Sequence, residues 1–292
     1  MLTAVLGLVG AFTYGSADFL GGLAARRISP LRVTASGALS GLVLLVIVLS
    51  FTGGEWSAAA VGWGALSGVT GAIAISLLYA CLAIGPMSIL SPTTALVGAV
   101  VPLTWGLVGG ARLHPAGYLG LGLALVAVVL VGFVPEKGAV RPSLRGLAMA
   151  VGSGALIGAF MIIIDQTPDT SGVVPLVLNR AVNGTIMLVV IGVLAFRARR
   201  AAAIAGKTMP RVHRWLPGLP LALGCGVLDT AANVLMLAGI RVGGVTIMSV
   251  LVALYPAGTI ILAAAVLRER IAPVQWAGLA LAVTAGALLA LP

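Results

Sequence analysis

The sequence predicts an all-α polytopic membrane protein, with ten transmembrane helices arranged as two inverted five-helix repeats. Three observations carry that prediction. Sixty per cent of the residues are apolar and eight per cent are charged, with a mean hydropathy of +1.18; soluble domains are far more polar. Ten apolar stretches of about 20 residues follow one another, each long enough to cross a bilayer as a helix with its backbone satisfied internally. Finally, residues 61–134 align without a gap on residues 219–292, at a shift of 158 positions. Of those 74 pairs 20 are identical, among them Gly68/Gly226, Gly85/Gly243, Ser91/Ser249, Pro115/Pro273 and Gly120/Gly278. Shared composition alone gives roughly 8. A duplicated unit with an odd number of spans enters the membrane from opposite sides, which makes the repeat inverted. A barrel needs short alternating strands, and the sequence has none.

Taken in order, the spans fall at about 2–23, 31–51, 61–82, 87–109, 116–134, 146–165, 172–196, 217–239, 245–267 and 273–291. No positive charge precedes the first, and Arg26-Arg27 follow it, the reverse of a cleavable signal peptide. The second contains Gly37-x-x-x-Gly41, and the third Gly64-x-x-x-Gly68 behind the interfacial Trp56 and Trp63. Such small-residue pairs let helices approach closely. The fourth carries Ser91-Pro92-Thr93-Thr94, then Gly98 and Pro102. The fifth closes the first repeat (1–134), and 135–145 link it to the second (146–292). The sixth holds Gly154-x-x-x-Gly158 and ends near Asp165 and Asp169; the seventh opens with Arg180 between Asn179 and Asn183. Residues 197–216 form the longest loop, with room for a surface helix at most. The eighth span carries Asp229 and Asn233, and the ninth Tyr255-Pro256-Ala257-Gly258. The tenth, 273–291, opens with Gln275-x-x-Gly278. Cys81 and Cys225 both fall inside spans and read as small packing residues.

The basic residues set the topology. Loops 1–2, 3–4, 5–6, 7–8 and 9–10 hold Arg26, Arg27, Arg32, Lys137, Arg141, Arg145, Arg197, Arg199, Arg200, Lys207, Arg211, Arg214, Arg268 and Arg270. The other side has only Arg112 and Arg241. The positive-inside rule makes the first side cytoplasmic and places both termini outside a bacterial-type plasma membrane. The net charge of +10 therefore reports topology and contact with anionic lipid. It is no nucleic-acid signature, because aromatic residues are not interleaved with the basic ones.

Ionisable groups at membrane depth are costly and need a reason. Arg180 lies about 12 Å from the outer face and Asp229 about 15 Å, at 1.5 Å per residue. Matching depth on consecutive spans predicts an Arg180–Asp229 pair, serving either to bury two charges together or to act in transport. Asp165 is the rival partner if Arg180 snorkels outward. Asn233 shares a helix face with Asp229, as Asn183 does with Asn179. Asp18 lies about 6–9 Å inside the cytoplasmic end of the first span, too far down to meet Arg180 on a straight helix. It is a coupling candidate lining an inner vestibule, or a carboxylate held by backbone donors or Arg26. Proline and glycine interrupt spans 4 and 9 at matching places, Gly98 aligning with Pro256, which marks Pro92, Gly98 and Pro256 as hinge candidates. Tyr14, Tyr79, Thr94 and Tyr255 offer hydroxyls or ring faces to a small substrate.

The stretch 238–291 is the most specific sequence in the chain. Its small-residue run into Tyr255-Pro256, the Arg268-Glu269-Arg270 turn and Gln275-x-x-Gly278 resemble the EamA type of the drug/metabolite transporter superfamily. "VVPLVLNR", ending at Arg180, is similar to the opening of that family's second repeat. The first half departs: "GGARLHPAG" replaces the turn, Ala111 stands where Glu269 would map, and span 2 has no buried arginine. The resemblance implies a ten-helix carrier, often an exporter of amino acids or other small metabolites. It also implies a central cavity lined mainly by helices 1, 3, 4, 6, 8 and 9.

Other function classes fit poorly. His114 and His213 lie in loops, and no His-Glu-x-x-His helix or carboxylate cluster offers a metal site, so neither a metal, a cofactor nor an intramembrane enzyme is expected. No phosphate loop is present for ATP-driven transport. A channel needs a continuous polar lining that these spans lack. The expectation is a secondary carrier, an exporter working as monomer or homodimer, whose two five-helix halves rock about a central site. An arginine beside the cavity suits a carboxylate. If Asp229 neutralises it, a neutral or cationic solute fits as well, and a multidrug or cation efflux carrier is the alternative.

Overall fold

The computed structural model describes residues 1–25, 27–84, 87–132, 143–204, 217–268 and 272–289. They form ten α-helices: α1 (Leu2–Ala25), α2 (Pro30–Thr52), α3 (Ala58–Ile84), α4 (Met87–Val108), α5 (Pro115–Gly132), α6 (Leu144–Asp165), α7 (Val174–Ile204), α8 (Leu219–Val252), α9 (Tyr255–Leu267) and α10 (Pro273–Leu289). A 3-10 turn, Asp169–Ser171, joins α6 to α7. Six helices (α1, α2, α3, α6, α7 and α8) are long and apolar enough to cross a membrane, and the other four contribute shorter apolar segments. Most of the linker 135–145, residues 205–216, Arg26, Glu269 and Arg270 lie outside the described residues.

Two helix boundaries differ from the sequence expectation. α7 continues to Ile204 instead of stopping near 196. Its extension, Arg197 to Ile204, is rich in arginine and alanine, which favour helix wherever packing does not decide. The second difference concerns spans 8 and 9. The chain stays helical from Leu219 to Val252 across a kink at Gly244 (φ 78°, ψ 159°). It then breaks at Ala253–Leu254 and resumes at Tyr255. Gly244 adopts a left-handed φ that a side chain would strain. Pro256 sits in the first turn of α9, where its missing N–H costs no helical bond. α4 runs unbroken past Pro92, Gly98 and Pro102. The paired interruption expected of spans 4 and 9 is therefore present only in the second.

The main interfaces join one sequence half to the other. α1 packs on α8 and α9, while α6 packs on α3 and α4. α2 packs on α7 and α8, α7 on α2 and α3, and α5 on α10. Small residues make these crossings possible. Gly37 and Gly41 face Gly226 and Thr230 of α8; Gly64 and Gly68 face Pro175, Asn179 and Val182 of α7; Gly154 and Gly158 face Thr94, Val97 and Val101 of α4. A Cβ on Gly15 would stand 2.8 Å from the Gly258 Cα, so α1 and α9 meet backbone to backbone. Gln275 accepts from the Ala272 N–H at 2.9 Å, capping α10, and donates to the Val131 carbonyl at 3.2 Å. Gly278 packs on the same turn of α5, so the Gln275-x-x-Gly278 pattern is a helix-docking device.

The outer faces carry large apolar side chains. Leu39, Val43, Val46 and Ile47 form a continuous exposed stripe on α2, and Leu188, Val189, Val193 and Phe196 another on α7. Apolar surface on that scale is incompatible with water and matches lipid tails. The chain is an integral membrane protein.

Candidate functional site: a polar cavity at the centre of the bundle

The bundle encloses a cavity of about 200 Å3. Its walls come from α1, α2, α3, α6, α7 and α8, with Tyr255 from the start of α9. The resemblance implied helix 4 as a wall as well, but no described residue of α4 reaches the cavity, and α2 and α7 take part instead. The cause is packing. α4 lies behind α6, held by the Gly154 and Gly158 crossing, while α2 and α7 close the sides.

Arg180 and Asp229 meet in this cavity. Arg180 Nη2 donates to Asp229 Oδ2 in an ion pair. The arginine side chain is 12% exposed and the carboxylate 31%, so the cation is sequestered while the anion still borders open space. Asn233, one turn further along α8, donates through Nδ2 to the Asp229 carbonyl at 2.7 Å and to its carboxylate at 3.4 Å. The chain thus supplies the anion, its counter-charge and an amide from two consecutive helices. Asp165 is not the partner of Arg180; it stays at the end of α6.

The other candidates divide. Tyr14 lines the cavity and directs its hydroxyl at the Met236 sulfur, 3.6 Å away. Tyr255 also lines it. Asp18 lines the same cavity as Arg180 and Asp229; the sequence had offered it an inner vestibule or a structural role held by backbone donors or Arg26. The depth estimate treated helices as vertical rods, and the packing of α1 on α8 and α9 brings Asp18 inward. Thr94 is fully buried away from the cavity and donates to the carbonyls of Leu90 (3.0 Å) and Ala150 (3.2 Å), tying α4 to α6. The side chains of Tyr79 and Pro92 lie outside the described residues. Gly98 rests on Ile157 of α6, and Pro256 is buried at the head of α9.

Sequence reasoning passed over several lining residues. Cys225, read as a packing residue, borders the cavity one turn before Asp229; the spacing of four was the available signal. Phe160 and Met161 of α6 and Thr34 of α2 carried no local signal at all. Asn179 and Asn183 both line the wall, and Asn179 donates to the Ser67 hydroxyl at 3.0 Å. Gly71 leaves room for the two amides. Among the described residues no group of His, Cys, Asp and Glu is arranged to hold a metal.

A second polar cluster lies at the α6–α7 turn. Arg241 donates to the carbonyls of Gly172 (2.9 Å) and Pro168 (3.3 Å) and to the Ser171 hydroxyl (3.4 Å). It also faces Asp169 at 3.6 Å. The Glu55 N–H donates to the Thr170 carbonyl at 3.1 Å, adding the α2–α3 loop. Two connections and the part of α8 that leads into the Gly244 kink are thereby tied together.

A helical membrane bundle around a buried, charged and partly open cavity is the architecture of a solute carrier. The model of the EamA-like transporter family matches residues 144–291, which cover α6 to α10. The chain belongs to the EamA-like transporter family, a branch of the drug/metabolite transporters. A solved crystal structure has the same fold over 99% of this chain and 96% of its own, with a TM-score of 0.70 and 16% identity. Among curated proteins there is no match.

Proposed function

We propose that this protein is a secondary carrier that exports a small metabolite, an amino acid or related organic solute, by alternating access. The observation that carries the reading is the central cavity, lined from both sequence halves and holding the Arg180–Asp229 pair. Charges are kept at membrane depth where a pathway needs them. The packing pattern supports an inverted repeat. Exchange each helix with the one five places on, and α1 on α8 becomes α6 on α3, while α1 on α9 becomes α6 on α4. α2 on α8 becomes α7 on α3, and the α2–α7 and α5–α10 contacts map onto themselves. Two-fold related packing around a central site is the geometry of inverted-repeat carriers.

The same packing changes which parts would move. Rocking residues 1–134 against 146–292 would tear open every major interface. The units more consistent with the contacts are α1, α2, α8 and α9 on one side and α3, α4, α6 and α7 on the other. The cavity lies between them. Lys/Arg-rich loops in the cytoplasm and both termini outside remain the topology we favour.

The test is untargeted metabolite analysis of cells and medium for wild type, Asp229→Asn and empty vector at matched expression. A solute that accumulates outside wild-type cells alone supports the reading. Identical profiles, followed by no flux from proteoliposomes loaded with cell extract, would refute it. One observation favours the second reading, a cation efflux carrier. Arg180 is already paired, which weakens the argument for a carboxylate substrate.

A further inference from the structure

The three charged side chains that line the cavity are not equivalent. Arg180 and Asp229 neutralise each other, and Asn233 adds a hydrogen bond to the same carboxylate. Asp18 has no hydrogen bond or ion pair among the described residues. Its side chain is exposed, and the space it borders is the cavity. Counted by formal charge, one basic and two acidic side chains leave the cavity with a single acidic group that no basic side chain balances. No lysine, histidine or second arginine among the described residues lines the wall to offset it. A lone carboxylate at membrane depth is expensive and persists where water or a ligand meets it.

The rest of the wall points to the chemistry of that ligand. Tyr14, Phe160 and Tyr255 place three aromatic rings around the same space. The Tyr14 hydroxyl donates to the Met236 sulfur, which leaves the tyrosine its ring face and an acceptor oxygen, neither of which suits an anion. Aromatic faces attract cations through their quadrupole, more strongly when water is excluded. An anionic solute would meet two carboxylates and an arginine already in use. A neutral solute would offer Asp18 no counter-charge. A cation with an apolar body satisfies both the charge and the rings.

We infer that this cavity takes a small organic cation of the ammonium class, with Asp18 as its counter-charge and the aromatic side chains as its walls. The inference deepens the second of the two carrier readings, the cation carrier, against the amino-acid one, and rests on the carrier reading for the identity of the site. Asp18 is then a specificity-determining residue, and the Arg180–Asp229 pair the neighbour that keeps a second solute charge out.

Three probes of nearly one shape and different charge decide the matter: choline, its uncharged isostere 3,3-dimethylbutan-1-ol, and the zwitterion trimethylglycine. Calorimetric titration into the purified full chain in detergent should show choline binding at least tenfold tighter than either analogue. Asp18→Asn should lose at least tenfold for choline and change nothing for the alcohol, while Asp18→Glu should keep the preference for charge. Equal affinity for the three probes, preference for the alcohol or the zwitterion, or no detectable choline binding to the wild type overturns the inference. If the Asp18 variants do not fold, the wild-type comparison decides alone. Proteoliposome flux separates the two claims. Choline that binds without crossing sinks the carrier reading and leaves the cation site standing. Zwitterion flux indifferent to Asp18→Asn sinks the cation site and leaves the carrier.

Discussion

Arg180 is the residue most dependent on its surroundings. It is nearly enclosed, and Asp229 is its counter-charge. Removing one member of a buried pair leaves the other uncompensated, whereas removing both exchanges the pair for apolar packing. Asp229→Ala should therefore destabilise the protein by about 3 kcal/mol, read as a lower unfolding temperature in detergent. The double variant Arg180→Met/Asp229→Leu should recover most of that stability and still fail to transport. Recovery of transport together with stability would show the pair to be structural only. Thr94 gives the converse case. Its hydroxyl links α4 to α6 and never meets the cavity. Thr94→Val should cost about 1 kcal/mol of stability and leave the transport rate within twofold of wild type at matched expression. A rate loss above tenfold would put Thr94 back in the pathway.

Helices meet here through their small residues, and their connections are held by a few polar groups. α8 and α9 depend on both. The Gly244 kink falls between the eighth and ninth spans, and the break before Tyr255 divides the ninth. Discontinuous helices of this kind border binding sites in carriers, because their unwound ends free backbone groups. Arg241 lies three residues before the kink and holds the 168–172 turn. We propose that this cluster seals the end of the bundle away from Asp18, so loosening it should open the cavity on that side. Cys225 serves as the reporter, since it lines the cavity while Cys81 is buried. In a Cys81→Ala background, Arg241→Gln should raise labelling of Cys225 by an impermeant maleimide from the 168–172 side severalfold. Unchanged labelling would mean that the cluster only shapes a loop.

The whole molecule is interleaved. Each sequence half lacks a core of its own, because its helices find their principal partners in the other half. The proposed moving units can be told apart by disulfides at positions where the geometry is favourable. A Cβ on Gly10 would lie 3.7 Å from that of Leu235, within α1 and α8 of one unit, close to an ideal disulfide spacing. A Cβ on Gly184 would lie 3.4 Å from that of Ala38, across the α7–α2 boundary between units. In a background lacking Cys81 and Cys225, oxidising Gly10→Cys/Leu235→Cys should leave transport intact. Oxidising Gly184→Cys/Ala38→Cys should arrest it, and reduction should restore it. The opposite pattern would mean that α1 moves against α8.

Hydropathy, basic loops and the 158-residue echo are properties of the chain read locally, so they were legible without coordinates. Membrane class, ten helices and the buried charged residues all follow from the cost of putting polar groups into hydrocarbon. The Arg180–Asp229 pair was legible for a related reason: consecutive helices carried opposite charges at one depth, and each needed the other. Tertiary structure alone decided which helices stand side by side. It brought Asp18 into the cavity, sent Thr94 behind α6, turned Cys225 toward the site and broke the ninth span but not the fourth. Lateral packing in a bilayer has little hydrophobic drive of its own and depends on close fit between small-residue surfaces far apart in sequence. Each such surface here is built around small residues, glycine above all, so composition marks where helices can meet and only their shapes determine which partner each one finds.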